Sequence, residues 1–110
     1  MVVARTAWWR TRSGALAGWF CRAGTRLLHD GVGFEASAPV TMRMDGSAGA
    51  VLAVDAVEIV LRRPAITAVH VDGAHAAPIA RGDGWIAIRI AAGAHALAIE
   101  AEPRRGEDAP

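Results

Sequence analysis

The sequence predicts an all-β fold, an antiparallel β-sandwich of about eight strands between residues 31 and 103. Two observations support this prediction. From Gly31 onward, apolar and polar residues alternate with a period of two, the spacing that places successive side chains on opposite faces of a strand. Turns rich in glycine and proline separate these runs at intervals of about 8–12 residues. Because each strand has a single apolar face, two sheets must pack together to bury those faces.

The first expected strands cover residues 34–37 and 40–45, and Pro39 between them is expected to end the first. A loop at 46–49 leads to strands at 52–54, 57–61 and 67–71. The Asp72-Gly73 pair predicts a tight turn after the last of these. A short strand at 77–80, a turn at 81–84 and strands at 85–90 and 95–99 complete the sheet. Residues 104–110 form a charged tail.

Residues 1–30 form a separate basic segment rich in Trp and Arg. Residues 1–29 contain five arginines and no acidic residue, whereas the remainder has seven arginines and all eleven acidic residues. Apolar residues from Trp9 to Leu27 recur at helical spacing, which is typical of a basic amphipathic helix that contacts an anionic membrane surface. A targeting segment and a remnant of a preceding domain are the two other interpretations, and the residues leave all three open.

Several function classes are disfavoured by what the sequence lacks. The single Cys21 excludes an internal disulfide and a cysteine-based zinc site. Neither a G-x-S-x-G elbow nor a glycine-rich phosphate loop is present, so no catalytic residue and no cofactor are predicted. A nucleic-acid platform needs aromatic residues interleaved with basic ones, and the net acidic part of the chain beyond residue 29 offers no such pattern. No uncharged run approaches the ~18 residues of a membrane span.

The histidines predict structure rather than chemistry. His95 shares a strand face with Leu97 and Ile99, so we expect it to hydrogen-bond the preceding turn. Asp72 and Gly73 are assigned structural roles in the turn after residue 71, and Gly93 in the turn before His95. A zinc site would require several converging ligands with supporting contacts. His70, Asp72 and His75 are the alternative that such a site would use, and the favoured prediction is that no metal is bound.

Trp85 is the aromatic side chain of the predicted sheet that points away from the core. It alternates with Ile86 and Ile88 and lies on the same face as Arg89. This pair is the candidate ligand-binding site, because an exposed Trp beside a donor stacks on sugar rings. The alternative is that Trp85 covers a sheet edge or an interface with a partner domain. Arg81-Gly82-Asp83 matches the cell-adhesion tripeptide, but its Gly and Asp are also expected in a hairpin turn.

The segments Val69-His70-Val71-Asp72-Gly73 and Ala92-Gly93-Ala94-His95-Ala96-Leu97 carry a resemblance to two groups of proteins. One is the PEGA-type module of bacterial surface proteins. The other is the C-terminal β-sandwich of heparinase-type polysaccharide lyases, which is similar over a longer stretch, from Phe34 onward. The second resemblance implies an accessory β-sandwich of a carbohydrate-active bacterial protein. It implies no catalytic residue, because the helical toroid that supplies most of such an active site is not part of this sequence.

The sequence therefore predicts a non-catalytic module that packs on a partner domain or contacts glycan, secreted or in the cell envelope. A stand-alone envelope interaction module, held at a membrane surface by residues 1–29, is the first alternative. A small metal-binding protein or enzyme is the second.

Overall fold

The computed structural model describes residues 6–12, 15–29 and 31–102, and the tail predicted at 104–110 lies outside them. The described residues form an all-β structure with one antiparallel sheet, curled into a half-barrel. Its ten strands are β1 (Thr6–Arg12), β2 (Ala15–His29), β3 (Val32–Asp45), β4 (Ala48–Ala53), β5 (Val57–Arg62), β6 (Ile66–Val71), β7 (Ala74–His75), β8 (Ala80–Gly82), β9 (Trp85–Ile90) and β10 (Gly93–Ala101).

The long strand β3 divides the sheet into two halves. Residues 40–45 of β3 pair with β4, and β4 continues through β10 and β6 to β7; we name these strands the front half. Residues 33–36 of β3 pair with β5, which continues through β9 to β8; these form the back half. Pro39 lies between the two paired stretches. The prediction that Pro39 ends a strand was wrong, because its missing N–H falls where neither β4 nor β5 needs a donor.

The described residues of the basic segment, 6–12 and 15–29, belong to the same sheet. β1 pairs antiparallel with β2, and β2 pairs with β3 from Gly18 to His29. The amphipathic helix considered for this segment is not what the structure shows there. Gly18 and Gly24 weaken a helix by about 1 kcal/mol each, and pairing with β3 offers the backbone of β2 an alternative set of hydrogen bonds. A bulge around Ala23, whose φ is 51°, lets β2 follow the bend of β3.

One hydrophobic core fills the inner face of the curled sheet. Trp19 of β2 is the strand neighbour of Met44 in the front half, and it stacks on Phe34 in the back half with ring centroids 5.3 Å apart, so this contact joins the two halves. The alternating pattern correctly predicted most inward positions. The buried core residues are Trp19, Cys21, Leu27, Phe34, Val40, Met42, Met44, Val51, Ala53, Val57, Ile59, Leu61, Ile66, Val69, Ile86, Ile88, Ile90 and Leu97.

The curled sheet brings its two ends close together. Arg81 of β8 donates a hydrogen bond from Nη2 to the carbonyl oxygen of Thr67 in β6, at 3.3 Å. The terminal strands β7 and β8 are only two and three residues long, which limits the backbone they leave open to other chains. Within the described residues, no helix is long and apolar enough to cross a membrane.

Candidate functional site

Trp85 begins β9 and lies on the outer face of the back half. Ile86, Ile88 and Ile90 point into the core, so the alternation of β9 directs Trp85, Ala87 and Arg89 outward. The Trp85 side chain is only partly exposed, because it lies over Gly82, its neighbour on β8. A β-carbon added to Gly82 would lie 2.6 Å from Cε2 of the indole. The absence of a side chain at Gly82 therefore allows the indole of Trp85 to approach the backbone of β8.

Two ion pairs lie on the same outer face as Trp85, one near each end of β9. Arg62 of β5 is the cross-strand neighbour of Trp85, and its Nε lies 2.8 Å from Oε1 of Glu35. At the other end of β9, Nη2 of Arg89 lies 3.0 Å from Oε2 of Glu58. We name this surface, comprising Glu58, Arg62, Trp85 and Arg89, the Trp85 face.

A shallow depression adjoins the Arg89 end of the Trp85 face. Its volume is about 330 Å³, and Ser37, Ala56, Val57, Glu58 and Arg89 line it. The Ser37 hydroxyl accepts a hydrogen bond from the backbone N–H of Glu58 at 3.0 Å, which leaves its own proton able to bond another acceptor. The depression thus presents a hydroxyl donor, a carboxylate and a guanidinium group, a combination suited to a polyhydroxylated ligand.

The Asp72-Gly73 turn connects β6 to β7, as predicted. Both residues have positive φ, 53° and 84°, the combination required by the two-residue type I′ hairpin turn. The turn also reaches across to β10. The backbone N–H of Asp72 donates to the Ala96 carbonyl at 2.9 Å, and the Ala96 N–H donates to Oδ1 of Asp72 at 2.8 Å. Asp72 therefore fixes both its own turn and the neighbouring strand.

His95 joins this turn to the one that follows β9. Its Nδ1 lies 2.7 Å from Oδ2 of Asp72, and its Nε2 lies 2.9 Å from the carbonyl oxygen of Ala91. Since both partners are acceptors, only the protonated ring donates at both nitrogens. These hydrogen bonds, the one to Asp72 first, raise the pKa of His95 above its ordinary value of 6.5. The hydrogen bonds from His95 and from the Ala96 N–H lower the pKa of Asp72 below 3.8.

Gly93 supports the same arrangement through its backbone. It begins β10 with φ at 116°, a conformation that side-chain-bearing residues rarely adopt. These contacts join two turns, and they involve Asp72, Gly73, Gly93 and His95. The Trp85 face has more exposed polar groups than these turns do.

His70 and His75 face each other across β6 and β7, with ring centroids 5.7 Å apart and the rings edge-on. His70 Nε2 also contacts the Glu100 carboxylate of β10. In the part of the chain that the structure describes, no three His, Cys, Asp or Glu side chains converge to hold a metal ion. The structure does not bring Asp72 into the His70–His75 pair, because Asp72 is bonded to His95.

The residues that sequence reasoning missed are Ser37, Glu35, Glu58 and Arg62. Each alternates outward on its strand, which the sequence shows, but only the register between β3, β5 and β9 places them beside Trp85 and Arg89. Arg81-Gly82-Asp83 spans β8 and the first residue of the turn before β9. There Arg81 bonds to Thr67 and Gly82 supports Trp85, so two of its three residues have structural contacts.

The fold and these contacts define an all-β protein with a partly exposed tryptophan, Trp85, on one outer face. No protein-family model matches the chain, and no curated protein is significantly similar to it.

Proposed function

We propose that this chain is a non-catalytic accessory module of a carbohydrate-active bacterial protein and that its Trp85 face contacts glycan or packs on a partner domain. The observation that carries the proposal is the position of Trp85, which is partly exposed on the outer face, with its indole close to Gly82 and with Arg62 as its neighbour on the other side of β9. Flat aromatic rings stack on the apolar faces of sugar rings, and Arg and carboxylate groups beside them bond sugar hydroxyls.

The distance between the two parts of this face suits an oligosaccharide rather than a single sugar. Trp85 and Arg89 are four positions apart on β9, which corresponds to about 13 Å along a strand. The Ala87 side chain between them is small, so nothing tall interrupts the surface. A bound chain would stack on Trp85 and extend toward Ser37 and Glu58, whose groups complement sugar hydroxyls.

We also propose that the curled sheet is a β-sandwich whose two layers are the front and back halves. Three contacts across the core support it. Trp19 stacks on Phe34, Arg81 reaches Thr67, and residues of β6 lie near residues of β9. In this description β3 serves both layers and bends at Pro39 to pass from one to the other.

Affinity electrophoresis through gels containing individual polysaccharides tests glycan contact. We expect Trp85→Ala to abolish retardation, and Trp85→Phe to retain part of it because a smaller ring still stacks. Leu52→Ala, on the outer face of the front half, is the matched control and should migrate as the parent does. Equal retardation of Trp85→Ala and the parent, or none by the parent in any gel, would contradict glycan binding and leave partner packing as the role of this face.

The stand-alone envelope module is kept as a second proposal. It is favoured by Arg22, which is exposed on β2 and forms no ion pair with the residues that the structure describes. Flotation with vesicles of anionic lipid tests it. Loss of flotation in Arg22→Glu, with retained flotation in Arg89→Gln, would support membrane contact through residues 1–29, and equal flotation of both would exclude it.

A further inference from the structure

The outer face of the front half carries an apolar surface that the fold does not require. The three outward residues of β4 and the first three outward residues of β10 are all apolar. All six are exposed. The register places the two sets side by side, with Ala50 opposite Ala96. We name this surface the alanine face; it comprises Ala48, Ala50, Leu52, Ala94, Ala96 and Ala98.

A sheet face that meets water normally carries polar side chains, because only the core face needs apolar ones. The alanine face departs from this rule over two adjacent, well-paired strands. Leu52 is 52% exposed, and Val54 just beyond β4 is 83% exposed. The small side chains also leave a shallow depression of about 160 Å³ between Arg43, Leu52 and Ala94, which allows another protein surface to approach closely. Burial of this surface against a second protein surface is therefore more favourable than its exposure to water.

Charged residues lie at opposite margins of the alanine face: Arg43 and Asp45 on β3, where Asp45 is the neighbour of Ala48, and Glu100 on β10. Arg43 of β3 is the neighbour of Ala50, is exposed, and forms no ion pair with the described residues. Glu100 lies four residues beyond Ala96 on β10, and its side chain is 62% exposed although it contacts His70. Strand spacings place Arg43 and Glu100 about 17 Å apart within one chain, so they cannot pair with each other there.

Within this set, Arg43 and Glu100 are complementary to each other across two copies of the face. From these contacts we infer that the alanine face is the interface of a symmetric dimer of this chain, in which Arg43 of each copy pairs with Glu100 of the other. A two-fold axis crossing the face near Ala48, midway between the two charges, brings both pairs together at once. The alanines then pack against one another between the two ion pairs.

The size of the surface sets the strength of the dimer. The three strands β3, β4 and β10, over the length from Ala94 to Glu100, give a patch of about 10 by 20 Å, smaller than the ~800 Å² that each partner buries in a stable interface. The association is therefore weak and is populated only at high protein concentration. Neither Arg43 nor the alanine face belongs to the Trp85 face, so the dimer leaves that surface open.

Sedimentation velocity of the full chain between roughly 10 μM and 1 mM, a range in which weak complexes become populated, tests the proposal. We expect the parent to shift from monomer toward dimer. Ala96→Glu should weaken the association at least tenfold, because it places two carboxylates at the centre of the interface. Ala80→Glu, the same change on β8 in the back half, should leave it unaltered. A parent that stays monomeric, or equal association of the two variants, would overturn the inference.

Mixing two charge-reversal variants identifies the pairing itself. Arg43→Glu alone and Glu100→Arg alone should each be monomeric, because each homodimer would then oppose like charges. An equimolar mixture should form a heterodimer, since the two reversed charges attract each other across one pair while the native Arg43 and Glu100 form the second. Circular dichroism confirms that each variant is folded. Failure of the mixture to associate, or association of either variant alone at the parent's level, would overturn the inference.

Discussion

The two outer faces of this sheet differ although the same alternation produces both. On the back half, outward positions carry Glu58, Arg62 and Arg89, each in an ion pair, together with Trp85. On the front half, outward positions of β4 and β10 carry alanines and Leu52, and Arg43 at the margin has no ion-pair partner among the described residues. Folding constrains only the inward positions, which are apolar in both halves. The outward residues therefore differ for reasons other than the fold, and we assign each face its own contact.

Both faces depend on the single core beneath them, so a core substitution should abolish their difference. We expect Trp19→Ala to lower the free energy of unfolding by about 3–5 kcal/mol, because it removes the ring that stacks on Phe34 between the halves. Urea denaturation followed by circular dichroism measures the change. One cooperative transition is expected in the parent. Two separate transitions, or a loss below about 1 kcal/mol, would show that the halves are stabilised independently.

The Asp72–His95 pair offers a way to change the front half without touching the back half. The pKa of His95 is raised in the folded protein, so its contribution to stability is full below pH 6.5 and is lost as the pH rises through the folded-state pKa. The pKa of Asp72 is lowered, so its contribution is full above pH 3.8 and is lost as the pH falls through its folded-state value. The pair therefore stabilises the fold most between about pH 3.8 and 6.5.

Thermal unfolding across pH 3 to 8 measures this dependence. We expect Tm to fall on the alkaline side of the window in the parent, and Asp72→Asn to reduce that fall because His95 then loses its charged partner. Glu58→Gln, in the ion pair of the back half, is the matched control and should keep the parent's alkaline profile. If Asp72→Asn and the parent have the same dependence above pH 6, the hydrogen bonds of His95 do not govern it.

The smallest effect compares one arginine from each face. Arg89→Met removes an exposed ion pair, which contributes about 0.2–1 kcal/mol to the free energy of unfolding. Arg43→Met removes an arginine without such a pair and should leave monomer stability unchanged within about 0.5 kcal/mol. Chemical denaturation of both variants at low protein concentration, where the dimer is not populated, provides the comparison. A larger loss for Arg43→Met than for Arg89→Met would show that Arg43 has a role within the monomer.

Several features were predictable because they depend on local chemistry. Asp72-Gly73 predicts a type I′ turn from residue types that tolerate positive φ, and the alternation around Ile86 and Ile88 predicts a buried face. The contact of His95 with the preceding turn, through the Ala91 carbonyl, is likewise local in sequence. These predictions need only neighbours in sequence and the period of a strand.

Other features depend on pairings between distant residues, which sequence periodicity does not encode. The segment from Trp9 to Leu27 has apolar residues at spacings that fit a helix, yet β2 finds its hydrogen bonds along β3. Glu58 alternates outward like any solvated acid, and only the register of β5 with β9 brings it to Arg89. Tertiary pairing decides both cases.

The position of β10 determines the order in which the strands can pair during translation. β10 is translated after β9, yet it lies between β4 and β6 and pairs with both. The strands of the back half can all pair once Ile90 has left the ribosome, whereas β4 and β6 must wait with unpaired edges for their shared neighbour. During synthesis the front half is therefore the last part to become protected from misassociation. It is completed when β10, which carries alanines on its outer face, pairs with β4 and β6.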